Sequence, residues 1–270
     1  MFIRFIRHFL IALQFFTRIP ITGRLANWVG FSPAMLRASA AHLPAVGWVV
    51  GGLTALVLAF AWSSLPKLAA SAWVAAVIST VFSVWLTGGF HEDGLADTAD
   101  GLGGGLTRER ALEIMKDSRL GSYGALALLL ALLAKLSLLV LLLELNVMWA
   151  VAGVFAAHVT SRLAPLFLIR TMRHVGNTAQ SKSKPLADGM GNAGLCVAVL
   201  WWLLAMLGGA YVVPSLSLWA GTLGAIFFMG YMAWSCQKKL GGFTGDILGA
   251  TQQLSEIGFY LGLVLAAGSV

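Results

Sequence analysis

Seven apolar runs, each near the length that crosses a bilayer, punctuate the chain at 44–62, 69–90, 121–143, 147–169, 193–213, 217–235 and 247–268. A hydrocarbon core about 30 Å thick takes roughly 20 apolar residues in a helix, because lipid offers no partner to an unpaired backbone N–H or C=O. Spanning strands would show short alternating segments instead, and none are found. Charged residues make up only 11% of the chain and mean hydropathy is +0.84, whereas a soluble domain carries about 25% charge. The expected fold class is all-α: a polytopic integral membrane helix bundle of about seven transmembrane helices, forming a single domain over 1–270. The run 217–235 is the weakest of these, with Gly221, Gly224 and Gly230 inside it.

Basic residues set the expected orientation, since short cytoplasmic loops collect Lys and Arg. Arg4, Arg7, Arg18, Arg24 and Arg37 precede the first run, and Arg108, Arg110, Lys116 and Arg119 lie between the second and third. Arg170, Arg173, Lys182 and Lys184 follow the fourth, and Lys238 and Lys239 the sixth, while the opposite side holds only Lys67. The N-terminus and segment 91–120 are therefore expected in the cytoplasm, and the C-terminus outside. The net charge of +7 follows from this asymmetry and from attraction to anionic lipid, so no nucleic-acid partner is implied. Segment 1–40 reads as cytoplasmic or interfacial. Within it Phe2, Phe5, Ile6, Phe9, Leu10, Leu13 and Phe16 recur at helical spacing. That stripe predicts an amphipathic helix lying on the membrane surface, against the alternative of a short re-entrant or buried helix. There is no signal-peptide cleavage site. Cys196 and Cys236 have no CxxC spacing and read as packing residues.

Four carboxylates fall within nine residues at 92–100, in a chain with only 11 acids. Packed this tightly, uncompensated carboxylates repel and some must protonate; a divalent cation removes the conflict. On a helix, Asp93, Asp97 and Asp100 lie within roughly 60° of one another while Glu92 points aside. Hard oxygen donors on one face suit Mg²⁺, which takes one or two carboxylates, waters and substrate phosphates. The segment 91–120 is accordingly expected to be a cytoplasmic acidic active-site loop. Residues 112–121 predict an amphipathic helix running back into the third span, with Arg119 at the surface as a phosphate fork and Asp117 either a further ligand or the group that holds Arg119. The stretch Gly241-Gly242-Phe243-Thr244-Gly245-Asp246 opens the last span; Gly-rich backbone with Thr244 and Gly245 at a helix start makes a phosphate cradle, and Asp246 offers another metal ligand. Glu256 falls near mid-membrane, where an ionisable group is costly; it reads equally as functional or as protonated and hydrogen-bonded between helices. Arg162, beside Ser161 and one turn after His158, either faces the same cavity and neutralises a phosphate or snorkels to the interface. Lys135 carries no assigned role. The polar segment 171–192, with Lys182, Lys184 and Asp188, reads equally as a lid or a plain connector. Carboxylates, Gly-rich backbone and arginines at one rim point to phosphoryl or phosphodiester transfer.

Taken together the motifs resemble the cobalamin synthase family, the adenosylcobinamide-GDP ribazoletransferases. The resemblance rests on Phe15-Phe16-Thr17-Arg18-Ile19-Pro20, on Gly88 through Gly101, on Met115 through Gly121, on Ser161-Arg162, on Gly241 through Ala250 and on Ser255-Glu256. It implies an Mg²⁺-dependent enzyme of the bacterial cytoplasmic (inner) membrane. Such an enzyme joins adenosylcobinamide-GDP to α-ribazole or its 5′-phosphate and releases GMP. It further implies that Asp93, Asp97, Asp100 and Asp246 hold the metal, that Arg119 and Arg162 steady the departing phosphate, and that Asp93 or Asp97 takes the proton from the attacking hydroxyl. The expected partners are thus the corrinoid-GDP, α-ribazole and the lipid bilayer; a homo-oligomer is compatible with the chain. Rival readings are a CDP-alcohol phosphotransferase or an intramembrane prenyltransferase. This chain, with Asp93-Gly94-Leu95-Ala96-Asp97, lacks the Ala-Arg expected of the first after Asp-Gly, and the second usually shows two aspartate-rich motifs where this chain has one plus Asp246. A cation-coupled transporter would use Glu256, Lys135 and Arg162 as a polar path, but the acids gather at one surface.

Overall fold

A computed structural model describes residues 2–176 and 189–267. An N-terminal helix α1 (Phe2–Phe16) leads through two short helices, α2 (Gly23–Val29) and α3 (Pro33–Ser39), into α4 (Leu43–Ser64) and α5 (Ala69–Thr87). Then come α6 (Phe90–Gly104), α7 (Arg108–Ile114), α8 (Ser122–Leu145) and α9 (Val147–Thr171). The chain closes with α10 (Asn192–Val212), α11 (Leu218–Leu240) and α12 (Gly245–Ala267). Among the described residues there is no strand, only a parallel bridge between His174 and Phe243. The protein is an all-α membrane-type bundle.

Among the described residues seven helices are 19 to 25 residues long, and they coincide with the seven apolar runs to within a few residues at most ends. Among the described residues, five stretches are both long and apolar enough to cross a membrane: 33–64, 70–87, α8, α9 and α10. Helices α11 and α12 fall short by composition, not by length, since 23 residues rise about 34 Å at 1.5 Å each. In α12 the cause is visible. Gln252, Gln253, Ser255 and Glu256 are buried, so its polar atoms face neighbouring helices, not lipid. The soft span at 217–235 is a regular helix, and two of its glycines explain themselves. A Cβ on Gly224 would sit 2.0 Å from the Gly258 carbonyl, and one on Gly258 would sit 2.5 Å from the Gly224 carbonyl. The α11 and α12 backbones therefore touch, as small residues allow in membrane helix pairs.

The expected second span, 69–90, ends early, at Thr87. Gly88 and Gly89 take φ of +73° and +71°, a left-handed pair that breaks the helix and restarts it as α6. Segment 91–120 is consequently no loop over most of its length: 90–104 is helical and packs against α12 and α8. The amphipathic helix α1 forms, but it is not wholly interfacial. Ile11, Ala12, Leu13 and Phe16 are buried, while Phe2 and Ile3 are 76% and 55% exposed. Its first half keeps an apolar face outward, and its second half joins the core beside α3 and α4. Both cysteines are free thiols.

Candidate active site

Helix α6 is held at both ends. Phe90 packs edge-on against Phe15 and Phe16 at 6.2 and 5.9 Å between ring centroids, and the Arg18 N–H donates to the Leu86 carbonyl at 2.7 Å. The Phe-Phe-Thr-Arg stretch thus pins the turn that opens α6. Midway along, Gly94 faces α12. A Cβ there would meet the Asp246 carbonyl at 2.7 Å and the Asp246 and Gly249 Cα atoms at 3.2 Å. That contact brings the Asp93–Asp97 face against Asp246, 150 residues away in sequence.

Exposure falls along the acidic face: Asp93 is exposed, Asp97 half-buried and Asp100 buried. Burial, then Asp93, Asp246 and Asp100, push the Asp97 carboxyl up to about 7. Crowded carboxylates without an opposing charge behave this way. Among the described residues none of Asp93, Asp97 and Asp246 is ion-paired to a base. Thr244 caps α12, accepting the Ile247 N–H at 3.4 Å and donating its hydroxyl to Asp246 Oδ2 at 3.3 Å. Gly245 is the first residue of α12 and borders a small cavity beneath.

Asp100 is differently engaged. Its Oδ2 accepts the Gly121 N–H and its Oδ1 the Gly124 N–H, both at 2.8 Å. It therefore caps the start of α8 from a neighbouring helix, at the end where a negative charge is most stabilising. The expected helix over 112–121 is corrected: α7 stops at Ile114. Asp117 accepts the Arg119 N–H at 3.1 Å, an Asx turn that competes with helix. The same carboxylate takes the Arg119 Nε–H at 2.9 Å, which holds Asp117 down to about 2. Asp117 thus orients Arg119, whose side chain is 87% exposed. Through Gly121 this turn is tied to Asp100.

Arg162 lies elsewhere. It is 2% exposed, turned into the bundle and not snorkelling, with Nη1 donating to the His158 carbonyl at 3.0 Å and Nε unpartnered. It belongs to a buried polar network that includes Lys135 and Glu256, the residues grouped with it as a polar path in the transporter reading. Lys135 Nζ pairs with Glu256 Oε1 at 2.7 Å, and Tyr260 donates to the same oxygen at 3.2 Å. Gln252 Nε2 bridges Ser161 Oγ and Glu256 Oε2, both at 2.9 Å. Gln253 Nε2 reaches Gln252 Oε1 at 2.9 Å and Glu92 Oε1 at 3.0 Å. Glu92, set aside as off the acidic face, is thus the link between that face and the interior. Helical spacing offered a partial signal, since Gln252 and Tyr260 flank Glu256 at four residues on each side. Lys135 on α8 offered none. A cavity of about 40 Å³ lined by His91, Arg162, Gly245 and Gln252 lies between the network and the mouth.

The donor set fits Mg²⁺. Among the described residues no three His, Cys, Asp or Glu side chains converge as a ready-made cage. Mg²⁺ does not require one, because it keeps waters and substrate phosphates alongside one or two carboxylates. Asp93, Asp97 and Asp246 supply hard oxygens and an uncompensated charge. Lys182, Lys184 and Asp188 lie outside the described residues.

The chain matches the family of cobalamin-5-phosphate synthase over residues 8–264. It is 51% identical to the adenosylcobinamide-GDP ribazoletransferase of Polaromonas naphthalenivorans, covering 98% of this chain and 99% of that protein. It is 51% identical to that of Albidiferax ferrireducens, over 97% and 99% of the two chains. The protein so named in Shewanella piezotolerans is 41% identical over 97% and 96%. No solved structure matches. With the match running nearly end to end, the chain belongs to the cobalamin-5-phosphate synthase family and is a membrane transferase.

Proposed function

We propose that this protein is an Mg²⁺-dependent adenosylcobinamide-GDP ribazoletransferase, acting at the cytoplasmic face of a bacterial inner membrane. It would join adenosylcobinamide-GDP to α-ribazole or its 5′-phosphate and release GMP. The observation that carries the reading is the crossing of α6 and α12 at Gly94, which sets Asp93 and Asp97 against Asp246. When bound there, Mg²⁺ would neutralise charge on the diphosphate and on the departing phosphate. Asp93, Asp97 and Asp246 would hold it, with Asp100 the fourth carboxylate of the group but already committed to the α8 backbone. Asp93 or Asp97 would accept the proton from the attacking ribazole hydroxyl. Thr244 and Gly245 would seat phosphate oxygens at the start of α12. Arg119, braced by Asp117, would fork the leaving GMP phosphate from outside. Arg162 would act from beneath, its charge lining the small cavity next to Gly245.

The test is direct. Purified protein with Mg²⁺, cobinamide-GDP and α-ribazole should release GMP, and EDTA should stop it. Turnover of a CDP-alcohol or a prenyl diphosphate, with none of cobinamide-GDP, would end the reading.

A further inference from the structure

Helices α6 and α12 cross, antiparallel, through glycine. A Cβ on Gly249 would lie 3.3 Å from the Gly94 Cα and from the His91 carbonyl, and one on Gly94 would lie 2.7 Å from the Asp246 carbonyl. Such contacts let two backbones approach closely. They fix poorly where along each other the helices stop, because interlocking ridges and grooves are built from side chains. The acidic mouth depends on that register, since Asp93 and Asp97 come from one helix and Asp246 from the other.

Among the described residues one side-chain hydrogen bond joins the two helices: Gln253 Nε2 donates to Glu92 Oε1 at 3.0 Å. Both of its ends are placed to hold register. Glu92 immediately precedes Asp93. Gln253 follows Asp246 by two turns on the same face, about 10 Å along the helix. Gln253 is buried and is braced from behind. Its Nε2 also reaches Gln252 Oε1 at 2.9 Å, and Gln252 Nε2 holds Ser161 of α9 and Glu256, both at 2.9 Å. Glu256 is paired in turn with Lys135 of α8 at 2.7 Å. The bond to Glu92 is thus the outer end of a chain anchored on three helices. Only one carboxylate oxygen of Glu92 takes part, for Oε2 is buried without a partner.

We propose that Glu92 and Gln253 are positioning residues, whose mutual bond sets the register in which α6 presents Asp93 and Asp97 to Asp246. They act through those three carboxylates and touch neither metal nor substrate. The inference rests on the reading that these aspartates hold a divalent cation, and it requires no particular substrate.

The experiment uses the full chain in phosphatidylcholine nanodiscs, stripped of metal and titrated with Mn²⁺, whose free fraction is followed by electron paramagnetic resonance without any turnover. Glu92→Met and Gln253→Met fill much the same space without the bond. Each should weaken Mn²⁺ binding by about tenfold or more, the usual cost of losing a group that orients metal ligands. Glu92→Gln gives up the charge but keeps an oxygen facing Gln253, and its amide nitrogen replaces an oxygen that has no bond to lose; it should keep most of the affinity. Glu92→Met combined with Gln253→Met leaves neither partner unpaired across the helices, so it guards against failure of a single variant to fold. It should bind as weakly as either single change, not as weakly as the product of the two losses. Unchanged Mn²⁺ binding in the double variant, at an unfolding midpoint matching wild type, would overturn the proposal. So would a loss in Glu92→Gln as large as in Glu92→Met, multiplying losses in the double variant, or a wild type that takes up no Mn²⁺. GMP release from the same preparations separates the two readings. A wild type that follows the Mn²⁺ pattern but releases no GMP ends the transferase reading alone, and one that releases GMP without the pattern ends this inference alone.

Discussion

Two carboxylate regions of this protein are handled in opposite ways. At the mouth, Asp93, Asp97 and Asp246 crowd together with no described base among them, and Asp97 is pushed up to about 7. Within the bundle, Glu256 is 1% exposed and fully answered, by Lys135 at 2.7 Å, Tyr260 at 3.2 Å and Gln252 at 2.9 Å. A buried charge must be paired, because desolvation exceeds what an unpaired ion can recover. A charge at the rim can stay unmatched because water and a ligand cation reach it. The core carboxylate therefore joins helices α8, α9 and α12, and the mouth carboxylates are kept for something that arrives. Glu92, accepting from Gln253 at 3.0 Å, connects the two.

The largest expected break in this contrast is Lys135→Met. Leaving Glu256 uncompensated should destabilise the folded protein by about 3–5 kcal/mol, read as denaturant unfolding in detergent. Adding Glu256→Gln should recover most of the loss. A neutral single change would mean that Glu256 is not an ion in the bundle. Next, Asp93→Asn should leave folding intact and lower the rate of GMP release by roughly 10²–10³-fold, the usual cost of one preorganised electrostatic group. Near-wild-type turnover in Mg²⁺ would remove Asp93 from the site. Gly94→Ala comes third. Its methyl would meet the Asp246 carbonyl at 2.7 Å, and a shift of about 1 Å between α6 and α12 should lower turnover by about 10²-fold with helical content unchanged by circular dichroism. The smallest effect belongs to Asp117→Asn. The pair it breaks is exposed, and such pairs contribute little to stability. The unfolding midpoint should not move, while the KM for cobinamide-GDP rises modestly as Arg119 loses its brace; an unchanged KM would place Arg119 outside the phosphate path.

Much of the bundle was legible in the chain, for one reason. Helices that cross lipid must be long and apolar, so α4, α5, α8, α9 and α10 announce themselves. Helix α12 was also found, by its run after Gly245, although its polar face was ambiguous. The Asp-x-x-x-Asp spacing of 93 and 97 displays a shared helical face directly. Asp246, at the Gly-rich start of the last span, read as a further metal ligand, but no spacing within the chain could show that it meets that face. Misreadings had local causes. Segment 91–120 looked like a loop because polar residues flanked by glycines usually are. Residues 112–121 looked helical because the Asx turn at Asp117 is invisible to hydrophobic periodicity. Asp100 looked like its neighbours on the helix because spacing cannot show that two α8 amides already occupy it.

What the sequence determined unaided is the solvent each segment prefers: apolar runs for lipid, arginines and aspartates for a rim. Transfer free energy acts residue by residue and is written in composition. Which polar groups meet was decided only by tertiary structure, since Lys135 with Glu256, Asp100 with Gly121 and Gly94 with Asp246 are contacts between helices. Their pairing depends on crossing angle and close approach, set by glycine contacts and core packing that no single segment encodes.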